Sequence, residues 1–115
     1  MLKKHKYTLL WGIWTIAIIT LSLISSSEMP KAPRIPYLDK VAHFSFYFGY
    51  TALFILAFRN KLWAVITALF LGATMEILQG LLTTTRSADY IDMLFNIFGT
   101  VVALLFMRKY EKLFR

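Results

Sequence analysis

Residues 76–99 of this sequence combine ionisable and amide side chains that could do chemistry. The polar members are a glutamate, an arginine, two aspartates and two amides: Glu76, Gln79, Arg86, Asp89, Asp92 and Asn96. The stretch joins two apolar segments that are long enough to cross a bilayer. Because ionisable groups are costly at membrane depth, those that occur there are candidates for a functional site.

Helical spacing predicts that polar side chains from three segments meet at one level, that is, at the same depth along the spanning helices. Residues three or four positions apart share a helix face. Three segments carry such sets: Asp39 with His43, Glu76 with Gln79, and Asp89 with Asp92, Asn96 and Gly99. At about 1.5 Å per residue, Glu76 and Asn96 lie only about 10 Å from their helix ends. We therefore expect a cavity or an ion-paired network, and we expect Gly72 and Ala73, one turn deeper, to admit a neighbouring backbone.

The composition indicates a membrane protein. Of 115 residues, 58% are hydrophobic and 17% are charged, and no cysteine is present, which excludes disulfide and thiolate chemistry. A water-soluble domain of this size could not bury so much apolar surface. The net charge of +7 is concentrated in short clusters at the ends of apolar runs, which indicates membrane topology and no nucleic-acid partner.

The apolar runs predict an all-α fold, a four-helix transmembrane bundle that forms one integral membrane domain over residues 1–115. The expected spans are residues 7–25, 41–58, 62–82 and 90–107. A cleavable signal peptide is the alternative for the first run, disfavoured by its length and its two tryptophans. Nine of the 13 lysines and arginines lie on the side of the termini, which predicts cytoplasmic termini. The turn over residues 83–89 then faces outward from a bacterial cytoplasmic membrane.

Three motifs resemble the VanZ-like family of small bacterial membrane proteins. They are D-K-x-x-H-F-x-x-Y at residues 39–47, E-x-x-Q-G at 76–80 and R-x-x-D-x-x-D-x-x-x-N-x-x-G at 86–99. The resemblance implies a polytopic four-helix protein, and the founding member is linked to resistance to teicoplanin, a lipoglycopeptide antibiotic that acts at the outer membrane face. The family pattern carries over to Asp39, His43, Glu76, Gln79, Arg86, Asp89, Asp92, Asn96 and Gly99.

The first functional hypothesis is a binding protein for the cell envelope. Its partners would be membrane lipids, a lipid-linked envelope precursor or a lipoglycopeptide. Arg86 and Lys40 would pair with phosphate, and Gln79 and Asn96 would supply neutral hydrogen bonds. Asp39 and Asp89 complete the predicted ligand-binding set.

The second hypothesis is a membrane enzyme that acts at the outer leaflet. Glu76 would be the general base, His43 its acid–base partner, and Asp92 would orient His43. These three residues and Asp39 suit a hard divalent cation, but the sequence assigns no resident metal and identifies no cofactor. No HExxH, GxSxG or Walker A pattern occurs. The third hypothesis is a structural bundle, and ion transport ranks lowest because the inner half of the spans is apolar.

Overall fold

The computed structural model describes residues 2–23, 38–82 and 90–114. Four α-helices follow one another along the chain: α1 (Leu2–Leu23), α2 (Leu38–Phe58), α3 (Lys61–Leu82) and α4 (Tyr90–Tyr110). A short 3₁₀ helix, Glu111–Phe114, ends the described chain. No strand occurs within these ranges, so the predicted all-α fold is confirmed.

All four helices are long and apolar enough to cross a membrane. A helix of 22 residues is about 33 Å long, close to the thickness of a bilayer's hydrocarbon core. Large apolar side chains cover the outside of the bundle, among them Leu9, Ile16, Phe70 and Leu81. A hydrocarbon environment suits these side chains, and water does not.

Three helices extend beyond the predicted spans by three residues or more, and one of them is α2, which begins at Leu38 instead of residue 41. α1 already begins at Leu2, and α4 continues to Tyr110. Apolarity set the predicted bounds, whereas helix formation continues through the lysines and arginines at these ends because both residue types are good helix formers.

α2 lies at the centre of the bundle and packs most extensively against α4. Gly99 of α4 makes this close approach possible, because a Cβ atom there would lie 3.1 Å from the carbonyl carbon of Phe44 and closer still to its oxygen. Two buried clusters fill the space between the helices. The first contains Ile18, Tyr47, Tyr50 and Ala68, and the second contains Ile55, Leu56, Ala64 and Met107.

A tryptophan anchors α1 to α2. Trp14 Nε1 donates a hydrogen bond of 2.8 Å to the carbonyl oxygen of Phe46. Gly49 leaves room for the indole, since a Cβ at this position would lie 2.6 Å from the ring of Trp14. The first helix is therefore held by a specific contact as well as by apolar packing.

The turn between α2 and α3 is tight and capped on both sides. Arg59 has a positive φ of 55° and its N–H donates to the carbonyl oxygen of Ile55 at 2.8 Å, which ends α2. Asn60 Oδ1 accepts from the N–H of Trp63 at 3.0 Å, which begins α3. A side-chain acceptor at this position satisfies a backbone donor that the first helical turn leaves without a helical partner.

Two contacts define what we call the terminal end of the bundle. The Tyr7 hydroxyl donates to the carbonyl oxygen of Phe114 at 2.8 Å, and Lys61 Nζ lies 3.2 Å from Glu111 Oε1. The beginning of α1, the α2–α3 turn and the end of the described chain therefore lie together. The opposite end, which we call the distal end, contains the beginnings of α2 and α4 and the end of α3.

Candidate functional site

The predicted polar side chains converge at the distal end. We call this group the polar cluster: Lys40, His43, Glu76, Asp92 and Asn96. They come from the first two turns of α2, the last two turns of α3 and the first two turns of α4. His43, Glu76, Asp92 and Asn96 are buried, with at most 8% of each residue exposed.

An ion pair joins α2 to α4 near the N-terminus of each helix. Lys40 Nζ lies 2.5 Å from Asp92 Oδ1, and both side chains are 12% exposed. Because burial weakens the competing interaction with water, this pair is a stronger constraint than a pair on a protein surface. Lys40 was predicted to bind phosphate, but here its ammonium group already holds a carboxylate.

His43 lies between two partners from α4. Its Nδ1 is 2.8 Å from Asn96 Oδ1, and its Nε2 is 3.4 Å from Asp92 Oδ2. An amide oxygen accepts only, so Nδ1 must carry the hydrogen and donate it. In the neutral imidazole, Nε2 then presents a lone pair towards the carboxylate. Two lone pairs facing each other repel unless a cation, either a proton or a metal ion, lies between them.

The amide of Asn96 is held in this orientation by its surroundings. Its Nδ2 lies 3.9 Å from the Met93 sulfur, a weak acceptor, which leaves Oδ1 for His43. Gly72 of α3 makes room for the amide, because a Cβ there would lie 3.1 Å from Asn96 Nδ2. The predicted approach of a backbone at Gly72 is therefore wrong. The neighbouring atoms are side chains, and the close backbone approach occurs at Gly99.

Glu76 completes the cluster from α3. One ligand atom from each of Glu76, His43 and Asp92 can be chosen so that all three lie within 4.8 Å of one another. The predicted convergence of polar groups from three helices on one level thus occurs among these residues. At about 1.5 Å per residue, Glu76 lies roughly 9 Å from the end of its helix.

The remaining predicted site residues have no described side chains. Arg86 and Asp89 lie outside the described residues, and Asp39 and Gln79 are described only as positions in α2 and α3. Their assignment to ligand binding stays a prediction. One buried polar residue at this end was not predicted: Ser22 in the last turn of α1 is 4% exposed. Serine is common in membrane helices, so the sequence offered no signal that distinguished it.

The described cluster carries an excess of negative charge. When the imidazole is counted as uncharged, its formal charges are one ammonium and two carboxylates. It also contains a histidine beside a carboxylate, an arrangement that can move a proton. The site is thus suited to bind a cationic or hydroxyl-bearing group, to coordinate a cation or to perform acid–base chemistry.

These features define a small multi-pass membrane protein whose polar side chains are buried at one end of a helical bundle. The family can be stated as well. The chain belongs to the VanZ/LLP1 family, whose model matches residues 3–114, and the predicted resemblance is confirmed. No curated protein and no solved structure matches the chain.

Proposed function

We propose that this protein binds the polar head of a lipid-anchored envelope molecule at the outer level of a bacterial cytoplasmic membrane. Such a molecule is an envelope lipid, a lipid-linked wall precursor or a lipoglycopeptide antibiotic. The observation that carries the proposal is the polar cluster, in which three helices bury charged and amide side chains at one end of the bundle.

The depth of the cluster supports a headgroup as ligand. His43 lies about 8 Å from the beginning of α2 and Asp92 about 3 Å from the beginning of α4, at about 1.5 Å per residue. With the helix ends at the membrane surface, these distances correspond to the headgroups and the first part of the acyl chains. The two carboxylates and the Asn96 amide suit amines and hydroxyls, which amino sugars and many lipid heads contain.

Two further arguments support this reading. The distribution of lysines and arginines predicts that the distal end faces outward. Membership of the VanZ/LLP1 family supports action on the envelope, since the founding VanZ-like protein is linked to teicoplanin resistance. Binding of the antibiotic and binding of an envelope lipid both require a polar site at the outer leaflet.

The test is a binding measurement with the full chain in nanodiscs. Defined lipids, a lipid-linked wall precursor and teicoplanin are added in separate arms, and bound ligand is measured by native mass spectrometry. We expect Glu76→Gln and Arg86→Ala to weaken binding at least tenfold. Glu111→Gln is the matched control, because this carboxylate lies at the terminal end and pairs with Lys61. Equal binding by the wild type and Glu76→Gln in every arm would refute the proposal.

The His43–Asp92 pair favours a second candidate function, that of a membrane enzyme. Asp92 Oδ2 faces His43 Nε2 at 3.4 Å, and Glu76 completes a set of groups within 4.8 Å. In this reading Glu76 is the general base, His43 its acid–base partner, and Asp92 orients the imidazole. General acid–base catalysis by such groups contributes about 10²–10⁴-fold to a rate.

The enzyme reading predicts that Glu76→Gln abolishes turnover of a lipid or lipid-linked substrate while the protein still binds it. A carboxamide has nearly the shape of a carboxylate but cannot accept a proton as a base. Product is measured by mass spectrometry of extracted lipids. A wild type that binds its ligand but leaves it unchanged would exclude this candidate and leave the binding function standing.

A further inference from the structure

We propose that His43, Glu76 and Asp92 form a binding site for a divalent transition-metal cation of the Zn²⁺ type. The three side chains come from α2, α3 and α4, and one ligand atom from each lies within 4.8 Å of the other two. One imidazole and two carboxylates are ligand types that Zn²⁺ accepts, and catalytic zinc sites use three protein ligands. The inference does not depend on the headgroup function proposed above.

The distances are close to those of a coordination shell. Two atoms that lie about 2.1 Å from a tetrahedral ion are about 3.4 Å apart. The separation between His43 Nε2 and Asp92 Oδ2 is 3.4 Å. The three ligand atoms all lie within 4.8 Å of one another. This bound exceeds the tetrahedral spacing by about 1.4 Å, so small side-chain adjustments would close the site around an ion.

The proposed ligands from α2 and α4, His43 and Asp92, each contact a further side chain that would hold them in place, as metal ligands usually do. A metal-bound histidine typically donates its other N–H to an oxygen acceptor, and His43 Nδ1 lies 2.8 Å from Asn96 Oδ1. This contact directs the Nε2 lone pair towards Asp92. A metal-bound carboxylate is usually held by a further donor, and Lys40 holds Asp92 Oδ1 at 2.5 Å. Asp92 Oδ2 is the oxygen that faces the imidazole.

Electrostatics favour a cation at this position. With Nδ1 donating to Asn96, the lone pair of Nε2 and the carboxylate oxygen of Asp92 repel each other unless a proton or a metal ion lies between them. With Lys40 included, the cluster has one net formal negative charge, so a divalent ion would change it to one positive charge. An imidazole ligand favours Zn²⁺ and its neighbours over Mg²⁺ and Ca²⁺, which prefer oxygen ligands.

The experiment is a metal titration of the untagged full chain in detergent, after treatment with a chelator and without added lipid. We expect one Zn²⁺ per chain by elemental mass spectrometry, and at least tenfold weaker affinity in His43→Gln and Glu76→Gln. His5→Gln is the matched control, because His5 is the chain's other histidine and lies near the terminal end. Its affinity should equal that of the wild type.

X-ray absorption of the Zn²⁺-loaded wild type keeps the proposal testable even if the variants fail to fold. One imidazole with otherwise oxygen ligands at about 2.0–2.2 Å is expected. Substoichiometric Zn²⁺, two imidazoles in the shell, or equal affinity of folded His43→Gln and wild type would overturn the proposal. Because lipid is absent from the titration, its failure is distinct from failure of headgroup binding.

Discussion

Replacing Gly99 by alanine should destabilise the bundle more than the same change at Gly12, Gly49 or Gly72, the other glycines whose surroundings the structure describes. The new Cβ would lie 3.1 Å from the Phe44 carbonyl carbon and 3.2 Å from its Cα, and nearer still to the carbonyl oxygen. Ordinary contacts of a Cβ begin at 3.4 Å. Since these Phe44 atoms belong to the backbone of α2, no side-chain rotation can relieve the overlap, and the two helices must separate by about 1 Å.

The free-energy cost follows from that separation. Overpacking of a close contact costs about 1–3 kcal/mol, and a gap of 0.5–1 Å elsewhere along the interface forfeits roughly a quarter to a half of each dispersion contact. We therefore expect Gly99→Ala to lower the free energy of unfolding by about 2 kcal/mol or more, which is the middle of the overpacking range or above it. The change should also disturb the polar cluster, because His43 precedes Phe44 and Asn96 lies one turn before Gly99.

The other helical glycines provide a graded set of controls. Nothing lies within 4 Å of a Cβ at Gly12, so Gly12→Ala should be neutral or should stabilise the helix by up to about 1 kcal/mol. Gly49→Ala meets the Trp14 ring at 2.6 Å and should fall between the two, because a side chain can move.

Unfolding is followed by circular dichroism during titration of detergent-solubilised protein with sodium dodecyl sulfate. If Gly99→Ala were no less stable than Gly12→Ala, the close approach of α2 and α4 would be refuted. A Gly49→Ala variant less stable than Gly99→Ala would show that the tightest contact lies between α1 and α2 instead.

Three further changes test individual interactions in the same assay. Thr51→Val should stabilise the protein by about 1 kcal/mol, because Thr51 Oγ1 is buried with no hydrogen-bond partner among the described residues; a loss of stability would reveal a partner. Asn60→Ala should cost about 1 kcal/mol by removing the acceptor for the Trp63 N–H, and no change would show that water replaces the cap. A double-mutant cycle of Lys40→Met and Asp92→Asn should give a coupling of about 1–3 kcal/mol, and purely additive effects would refute a direct ion pair.

Periodicity in the sequence predicted much of the site because membrane helices constrain side chains strongly. Once α2, α3 and α4 span in alternating directions, the three- and four-residue spacings decide which polar residues share a level. His43, Glu76, Asp92 and Asn96 could be grouped in this way before any contact was known.

Contacts between particular atoms were not predictable from spacing. Gly72 and Gly99 have the same residue type and both lie in membrane helices, yet one faces the Asn96 amide and the other faces the Phe44 backbone. The difference depends on how α3 and α4 are rotated about their axes, which helical periodicity leaves undetermined. The pairing of Lys40 with Asp92 depends on the reach of a flexible side chain, which varies with the crossing of α2 and α4.

The contact between α2 and α4 also bears on how the chain is made. The two helices are neighbours in the bundle, but Lys40 and Asp92 are 52 residues apart in the sequence. α2 therefore leaves the ribosome well before α4, and during that interval Lys40 and His43 lack Asp92 and Asn96. Membrane insertion of α2 alone would place Lys40 and His43 beside lipid without their partners from α4. The helices from α2 to α4 would then reach their final arrangement as a late, cooperative step of biogenesis, after the last of them has been synthesised.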